Sequence, residues 1–162
     1  MRAYVAVGSN LGDRWAHLAL AARELRTAPG VAVLRGSRVW DTAPLGPPQP
    51  RYLNAVLELE TTRTAPSLLG LMREVEERAG RTRDLRWGPR TLDLDLLLFG
   101  DLVTRSPGLT IPHPEMVRRR FVLAPLAELR PDLAVPGIGE EVSRLLAEAP
   151  ELDITAVGGY PL

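Results

Sequence analysis

There is no cysteine in the chain, which excludes disulfides, zinc–thiolate sites and thiol nucleophiles. Lysine is missing as well: all 20 basic residues are arginine. A Walker-A lysine, the strand lysine of protein kinases and Schiff-base chemistry are therefore out of reach. Any handling of phosphates must rest on arginine, histidine, backbone amides and metal ions. The arginine excess itself is read as codon bias of a GC-rich genome. A formal net charge of zero argues against non-specific nucleic-acid binding, which needs surplus basic charge. No apolar run approaches the length of a membrane span. The longest, near Leu94–Phe99, is interrupted by Asp95 and suits a strand. Met1-Arg2-Ala3-Tyr4 leads straight into a strand-like run, so no signal peptide is read and a cytoplasmic location is expected.

What is present fits one domain over 1–162, with 45% hydrophobic and 25% charged residues and length enough to bury a core unaided. Ala3–Val7 reads as a buried strand ending at Gly8, followed by a capped turn at Ser9–Asp13. Trp15, Leu18, Ala22 and Leu25 share one helical face, and Pro29-Gly30 stops that helix. Val31–Trp40 is strand-like, and Asp41–Arg51, with four prolines and Gly46, is a loop. Tyr52–Glu60 alternates, with Leu53, Ala55, Leu57 and Leu59 on one face and Tyr52, Asn54, Val56 and Glu58 on the other. A helix follows from Ala65 to Ala79, then an arginine-rich loop and a strand over Leu92–Phe99. Val142–Ala147 reads as a late helix and Ile154–Val157 as a small strand. This order suits an α+β class: an antiparallel sheet of ferredoxin-like type with helices packed on it, expected as a single-domain αβα sandwich.

The sharpest local pattern is Arg90-Thr91-Leu92-Asp93-Leu94-Asp95-Leu96. Alternation puts the leucines on one face and Asp93 and Asp95 on the other, roughly 6–7 Å apart along the strand. Aspartate is disfavoured inside strands. The pair is either a solvent-facing surface with salt bridges or a set of oxygen ligands for Mg²⁺, able to bridge two ions about 4 Å apart. Arg81, Arg83, Arg86 and Arg90, just upstream, favour the second reading, because a polyphosphate held with its metals needs such charge. His113 is fixed between Pro112 and Pro114, a rigid setting for a donor, although a loop histidine bonded to a carbonyl is the commoner case. His17, on a helix, is read as structural, and Arg118–Arg120 taken alone as a solvated surface. The stiff Asp41–Pro47 loop, with Tyr52 and Asn54 on one strand face, suits either stacking of a flat heterocycle or plain packing.

Gly8-Ser9-Asn10-Leu11-Gly12-Asp13, Pro44-Leu45-Gly46-Pro47 with Tyr52-Leu53-Asn54, Gly80-Arg81-Thr82-Arg83, Arg86-Trp87-Gly88-Pro89-Arg90-Thr91-Leu92-Asp93-Leu94-Asp95, and Pro112-His113 with Phe121 occur in one order. Together they resemble the 6-hydroxymethyl-7,8-dihydropterin pyrophosphokinases, across nearly the whole chain. The resemblance implies transfer of pyrophosphate from ATP to 6-hydroxymethyl-7,8-dihydropterin, giving its diphosphate and AMP, in folate biosynthesis. It implies two Mg²⁺ ions on Asp93 and Asp95, with Arg81 and Arg90 joining them in catalysis. Glu76, Arg81, Arg83, Trp87, Arg90, Leu96, Thr110, His113 and Arg119 would bind ATP. Thr42, Ala43, Pro44, Leu45, Tyr52, Asn54, Trp87, Asp93 and Phe121 would bind the pterin. The chain departs from the family pattern at Gly108, where some members carry an ATP-contacting arginine, at Pro114, where some carry tyrosine, and at Ala43, a frequent proline. Gly80–Pro89, polar and flanked by glycines, is expected to be a mobile lid. Nucleic acid, membrane and an obligate protein partner are not expected. A phosphohydrolase using the same aspartates would not need Tyr52 and Phe121. An RNA-binding ferredoxin-like module would need an aromatic-rich strand motif that is missing here.

Overall fold

The computed structural model describes residues 1–80 and 91–162. Strands β1 (Arg2–Ser9), β2 (Val31–Gly36), β3 (Arg38–Thr42), β4 (Tyr52–Thr61), β5 (Asp93–Phe99) and β8 (Ile154–Gly159) form an antiparallel sheet in the order β5-β1-β4-β3-β8, with β2 also paired to β4. A two-stranded hairpin, β6 (Thr104–Ser106) and β7 (Leu109–Ile111), stands apart. Helices α1 (Arg14–Thr27) and α2 (Ala65–Arg78) pack on one face; α3 (Arg120–Leu129) and α4 (Val142–Glu148) pack on the other. The architecture is the expected αβα sandwich.

The alternation of β4 is borne out residue by residue. Leu53, Ala55, Leu57 and Leu59 enter the core shared with α1 and α2, and Val56 enters the core shared with α3. The segment expected as one strand over Val31–Trp40 divides at Ser37, and β3 runs on to Thr42. At the division the Ser37 hydroxyl accepts the Val56 N–H at 2.9 Å and donates to the Arg38 carbonyl at 2.8 Å, so a side chain takes over part of the ladder. Helix α3 was not expected. Pro125 lies inside it and no side chain caps its start, so the usual signals are missing. Its existence rests on burial of Val122, Leu123, Leu126 and Leu129 against the sheet.

One irregularity matters for the site. Tyr4 pairs with Leu98 but Val5 with Leu96, so Leu97 is an extra residue in β5. This bulge sends both Leu97 and Leu98 to the α3 side, while Leu94 and Leu96 stay with α1 and α2. It also leaves the Leu97 carbonyl to accept the His113 backbone N–H at 3.0 Å.

Level with the bulge, on the same face, lies a buried carboxylate. Glu58, 2% exposed, accepts from Tyr4 Oη at 2.7 Å and from Arg35 Nε and Nη2 at 3.0 and 3.1 Å. Arg130 donates to the same Tyr4 oxygen at 2.6 Å, and Arg35 reaches the Leu129 carbonyl at 3.0 Å. The network ties β1, β2 and β4 to the end of α3. The Arg35 hydrogen bonds hold the Glu58 carboxyl below its ordinary range, outweighing its desolvation. A depressed carboxylate stabilises the fold above its unfolded value, and that contribution fades as pH falls through the folded one. Arg35 is half exposed, so screening moderates the effect. Glu58→Gln is expected to cost about 1–2 kcal/mol at neutral pH. In urea unfolding the gap to the parent protein should close as the solution is acidified. A gap constant from pH 7 to pH 3 would contradict the charge network.

Candidate active site

The site forms where β1, β4 and β5 run out beside the start of α3. A cavity of about 320 Å³ is lined by Gly8, Thr42, Ala43, Leu45, Tyr52, Asn54, Asp93, Asp95, Arg119 and Phe121, among others. Its width has a backbone cause. A Cβ built on Gly8 would lie 2.6 Å from Asn54 Oδ1, so only glycine lets the Asn54 amide lie over β1. Asn54 is 9% exposed, and its Nδ2 donates to Thr42 Oγ1 at 2.7 Å. That bond fixes which way the amide points and presents Oδ1 as an acceptor.

Asp93 and Asp95, both partly exposed, line this cavity and also a second one with Leu69, Met72, Arg73, Glu76 and Leu94. They form the wall between the two. Glu76 is 4% exposed and accepts the Leu94 N–H at 2.9 Å, so it braces the strand between the two aspartates. Among the described residues no group of three or more His, Asp or Glu side chains converges on one point. Two carboxylates on an open wall fit a hard cation that keeps its other positions for phosphate and water.

His113 reaches the site from the loop after β7. Its Nδ1 accepts the Glu115 N–H at 3.2 Å, which places the proton of the neutral ring on Nε2. Nε2 lies 3.8 Å from Asp95 Oδ1, too far for a hydrogen bond, and the contact is not an ion pair while the ring is neutral. Burial first, and then the nearby Arg119 charge, push the His113 pKa down; Glu115 and Asp93 push the other way. The ring is thus a neutral donor near neutral pH. Arg119 also lies over the Phe121 ring, 5.7 Å from its centroid.

Most expected site residues in the described parts converge here. Pro44 lines neither cavity. Leu96 is in the core on the α2 side and Thr110 sits in the β6–β7 hairpin, and neither lines either cavity. Arg81, Arg83, Trp87 and Arg90, and the lid expected over Gly80–Pro89, lie outside the described residues, apart from Gly80 itself. Sequence reasoning missed Ala6, Gln49 and Val122 in the first cavity and Arg73 in the second. Small residues at Ala6 and Gly8, alternating with Tyr4, were the available signal that this end of β1 leaves room.

The model of the 7,8-dihydro-6-hydroxymethylpterin-pyrophosphokinase family matches residues 4–131. The chain belongs to this family. It is 44% identical over 150 residues to the 2-amino-4-hydroxy-6-hydroxymethyldihydropteridine pyrophosphokinase of Pseudomonas aeruginosa, covering 92% of each chain. To the enzyme of the same name from Bacillus subtilis it is 44% identical over 128 residues, covering 78% of this chain and 77% of that one. Among solved structures it is similar to wild-type Plasmodium falciparum HPPK-DHPS with pterin and p-hydroxybenzoate, with a TM-score of 0.71 at 12% identity. The match covers 91% of this chain and spans only 42% of the Plasmodium chain. At that identity the likeness speaks for the fold alone.

The titration of His113 follows from its surroundings. In chelator-treated protein its NMR midpoint should lie below that of an ordinary histidine. Arg119→Gln should raise it and Asp93→Asn should lower it further, since each removes a charge acting on the ring. A midpoint that ignores both substitutions would remove Arg119 and Asp93 from the electrostatics of this ring.

Proposed function

We propose that the chain transfers the pyrophosphoryl group of ATP to 6-hydroxymethyl-7,8-dihydropterin, releasing AMP, with Mg²⁺ bound by Asp93 and Asp95. Residues 1–162 act as one catalytic domain. The observation that carries the reading is the junction of two cavities at those aspartates. One cavity offers aromatic walls and an oriented amide; the other lies against α2. A metal-dependent hydrolase would use the carboxylates but has no need of the first cavity. No helix among the described residues is long and apolar enough to cross a membrane, and use of ATP fits a cytoplasmic location.

In this reading Tyr52 and Phe121 hold the flat pterin by stacking. The Asn54 Oδ1 accepts from the heterocycle's N–H groups, and the Thr42–Leu45 segment reads its remaining edge. His113 donates through Nε2–H to a phosphate oxygen. Arg119, with Arg81, Arg83 and Arg90, balances the triphosphate charge. Glu76, Leu96 and Thr110 lie toward the adenosine, and Trp87 belongs to both substrates. Two magnesium ions, when bound, neutralise phosphate charge and make the acceptor hydroxyl more acidic. The hydroxymethyl oxygen attacks the β-phosphorus in line, the bond from that phosphorus to the α-phosphate oxygen breaks, AMP leaves, and the hydroxyl proton is released to solvent. Positioning and charge balance are sufficient, with no covalent intermediate on the protein.

Two tests separate the parts of this proposal. Asp93→Asn and Asp95→Asn keep the shape of the wall but remove charge, and AMP release from MgATP with the pterin should fall by about 10²-fold or more. Near-normal turnover by either variant at ordinary magnesium would overturn the ligand assignment. In calorimetry, Phe121→Ala or Tyr52→Ala should weaken pterin binding by about 1 kcal/mol or more, with ATP binding changed much less. Equal losses for both ligands would count against the stacking site.

A further inference from the structure

One cluster outside the cavities acts on the strand that carries the aspartates. Ser9, fully buried at the end of β1, hydrogen-bonds through Oγ to the Thr91 carbonyl oxygen. The same Oγ lies 3.2 Å from His17 Nδ1, on the first turns of α1. A carbonyl carries no proton, so the serine hydroxyl must donate to Thr91. The Ser9 oxygen is then an acceptor toward His17, and Nδ1 must bear hydrogen. Order therefore runs in one direction, from His17 Nδ1–H to Ser9 Oγ–H to the Thr91 carbonyl.

The backbone that carries the ring is fixed as well. Asp13 caps α1 through the Ala16 N–H at 3.1 Å, and its carbonyl accepts the His17 backbone N–H at 3.0 Å. Gly12 has φ of +72°, and a Cβ there would stand 3.3 Å from His17 Cε1. The turn thus leaves room for the imidazole where it is needed. The Thr91 Oγ1 is itself buried with no hydrogen-bond partner among the described residues. Two residues later the chain reaches Asp93, which pairs with Gly8, the neighbour of Ser9.

We propose that His17 and Ser9 are positioning residues for the reaction, a relay that fixes the Thr91 carbonyl and so sets Asp93 and Asp95 where β5 begins. Neither residue lines either cavity, so they act through the strand and touch no substrate. Breaking the relay lets the entry to β5 shift relative to β1, and small displacements of catalytic groups are costly. The loss should appear at the metal-binding wall before it appears at the stacking walls. The activity readout rests on the pyrophosphokinase reading; the tautomer does not.

The test uses the full chain and two readouts. The protein has only two histidines, so nitrogen-15 NMR resonances can be assigned by removing each in turn. His17 should be the Nδ1–H tautomer and His113 the Nε2–H tautomer. Kinetically, His17→Leu should reduce kcat about tenfold and raise the magnesium concentration for half-maximal rate, with KM for the pterin nearly unchanged. His17→Asn, which keeps an N–H near the Nδ1 position, should recover most of the rate, and Ser9→Thr should exceed Ser9→Ala. If Ser9→Ala does not fold, the two His17 variants decide. An Nε2–H tautomer at His17, or an active parent whose His17→Leu variant keeps its rate and magnesium response, overturns the relay. A parent protein that releases no AMP sinks the pyrophosphokinase reading instead, and the tautomer, with its loss of Nδ1–H order in Ser9→Ala, then decides the relay.

Discussion

Strands β1 and β4 are hydrogen-bonded along both edges, so neither can slip by one residue without turning every side chain to the wrong face. The location of the site depends on this. On the face toward α3, β1 presents Tyr4, Ala6 and Gly8 in turn, and β4 presents Glu58, Val56, Asn54 and Tyr52 in the opposite direction. At one end the large groups meet as Tyr4 against Glu58, and their polar atoms are tied to arginines. At the other end Gly8 faces Asn54, and the missing side chain becomes space. A closed end and an open end are thus two consequences of one register.

The bulge at Leu97 adds His113 to what this register builds. Without the extra residue, the α3 face of β5 would continue its strict alternation from Asp93 and Asp95. With it, two successive leucines turn into the α3 core, and a carbonyl is left to hold His113 beside Asp95. The hydrophobic demand of α3 and the placement of the His113 imidazole are met by the same irregularity. Glu76 supports the arrangement from the other face, with its carboxylate on the Leu94 N–H.

Much of this was legible in the sequence because period-two patterns report faces directly. The aspartates of β5 and the split of β4 into Leu53, Ala55, Leu57, Leu59 against Tyr52, Asn54, Val56, Glu58 needed no tertiary information. Three things did. Helix α3 has a proline inside and no capping side chain, so only its burial against the sheet explains it. The run Leu96-Leu97-Leu98 gives no sign of which leucine is extra, because any of them could be. Glu58 stood on the correct face but gave no hint of burial, since its partners Arg35 and Tyr4 lie 23 and 54 residues away in sequence. Residue type does not disclose a partner that only the fold supplies.

Arginine shows the same limit most sharply, because a chain without lysine uses one side chain for every cationic task. Arg118, Arg119 and Arg120 are adjacent, and as a triplet they read as a solvated surface. In the structure they have three different roles. Arg118 pairs with Glu115 at 3.4 Å in an exposed contact. Arg120 turns away to the Ala149 and Pro150 carbonyls at 2.7 and 3.2 Å, anchoring the end of α4. Arg119 alone lines the cavity, over Phe121 and close enough to depress the His113 pKa. What separates them is the change of backbone at Arg119. It closes the 3₁₀ turn of Met116–Arg118 in an extended conformation and opens α3. A single extended residue between two helical turns rotates its side chain away from both neighbours, and here that rotation delivers one guanidinium to the site.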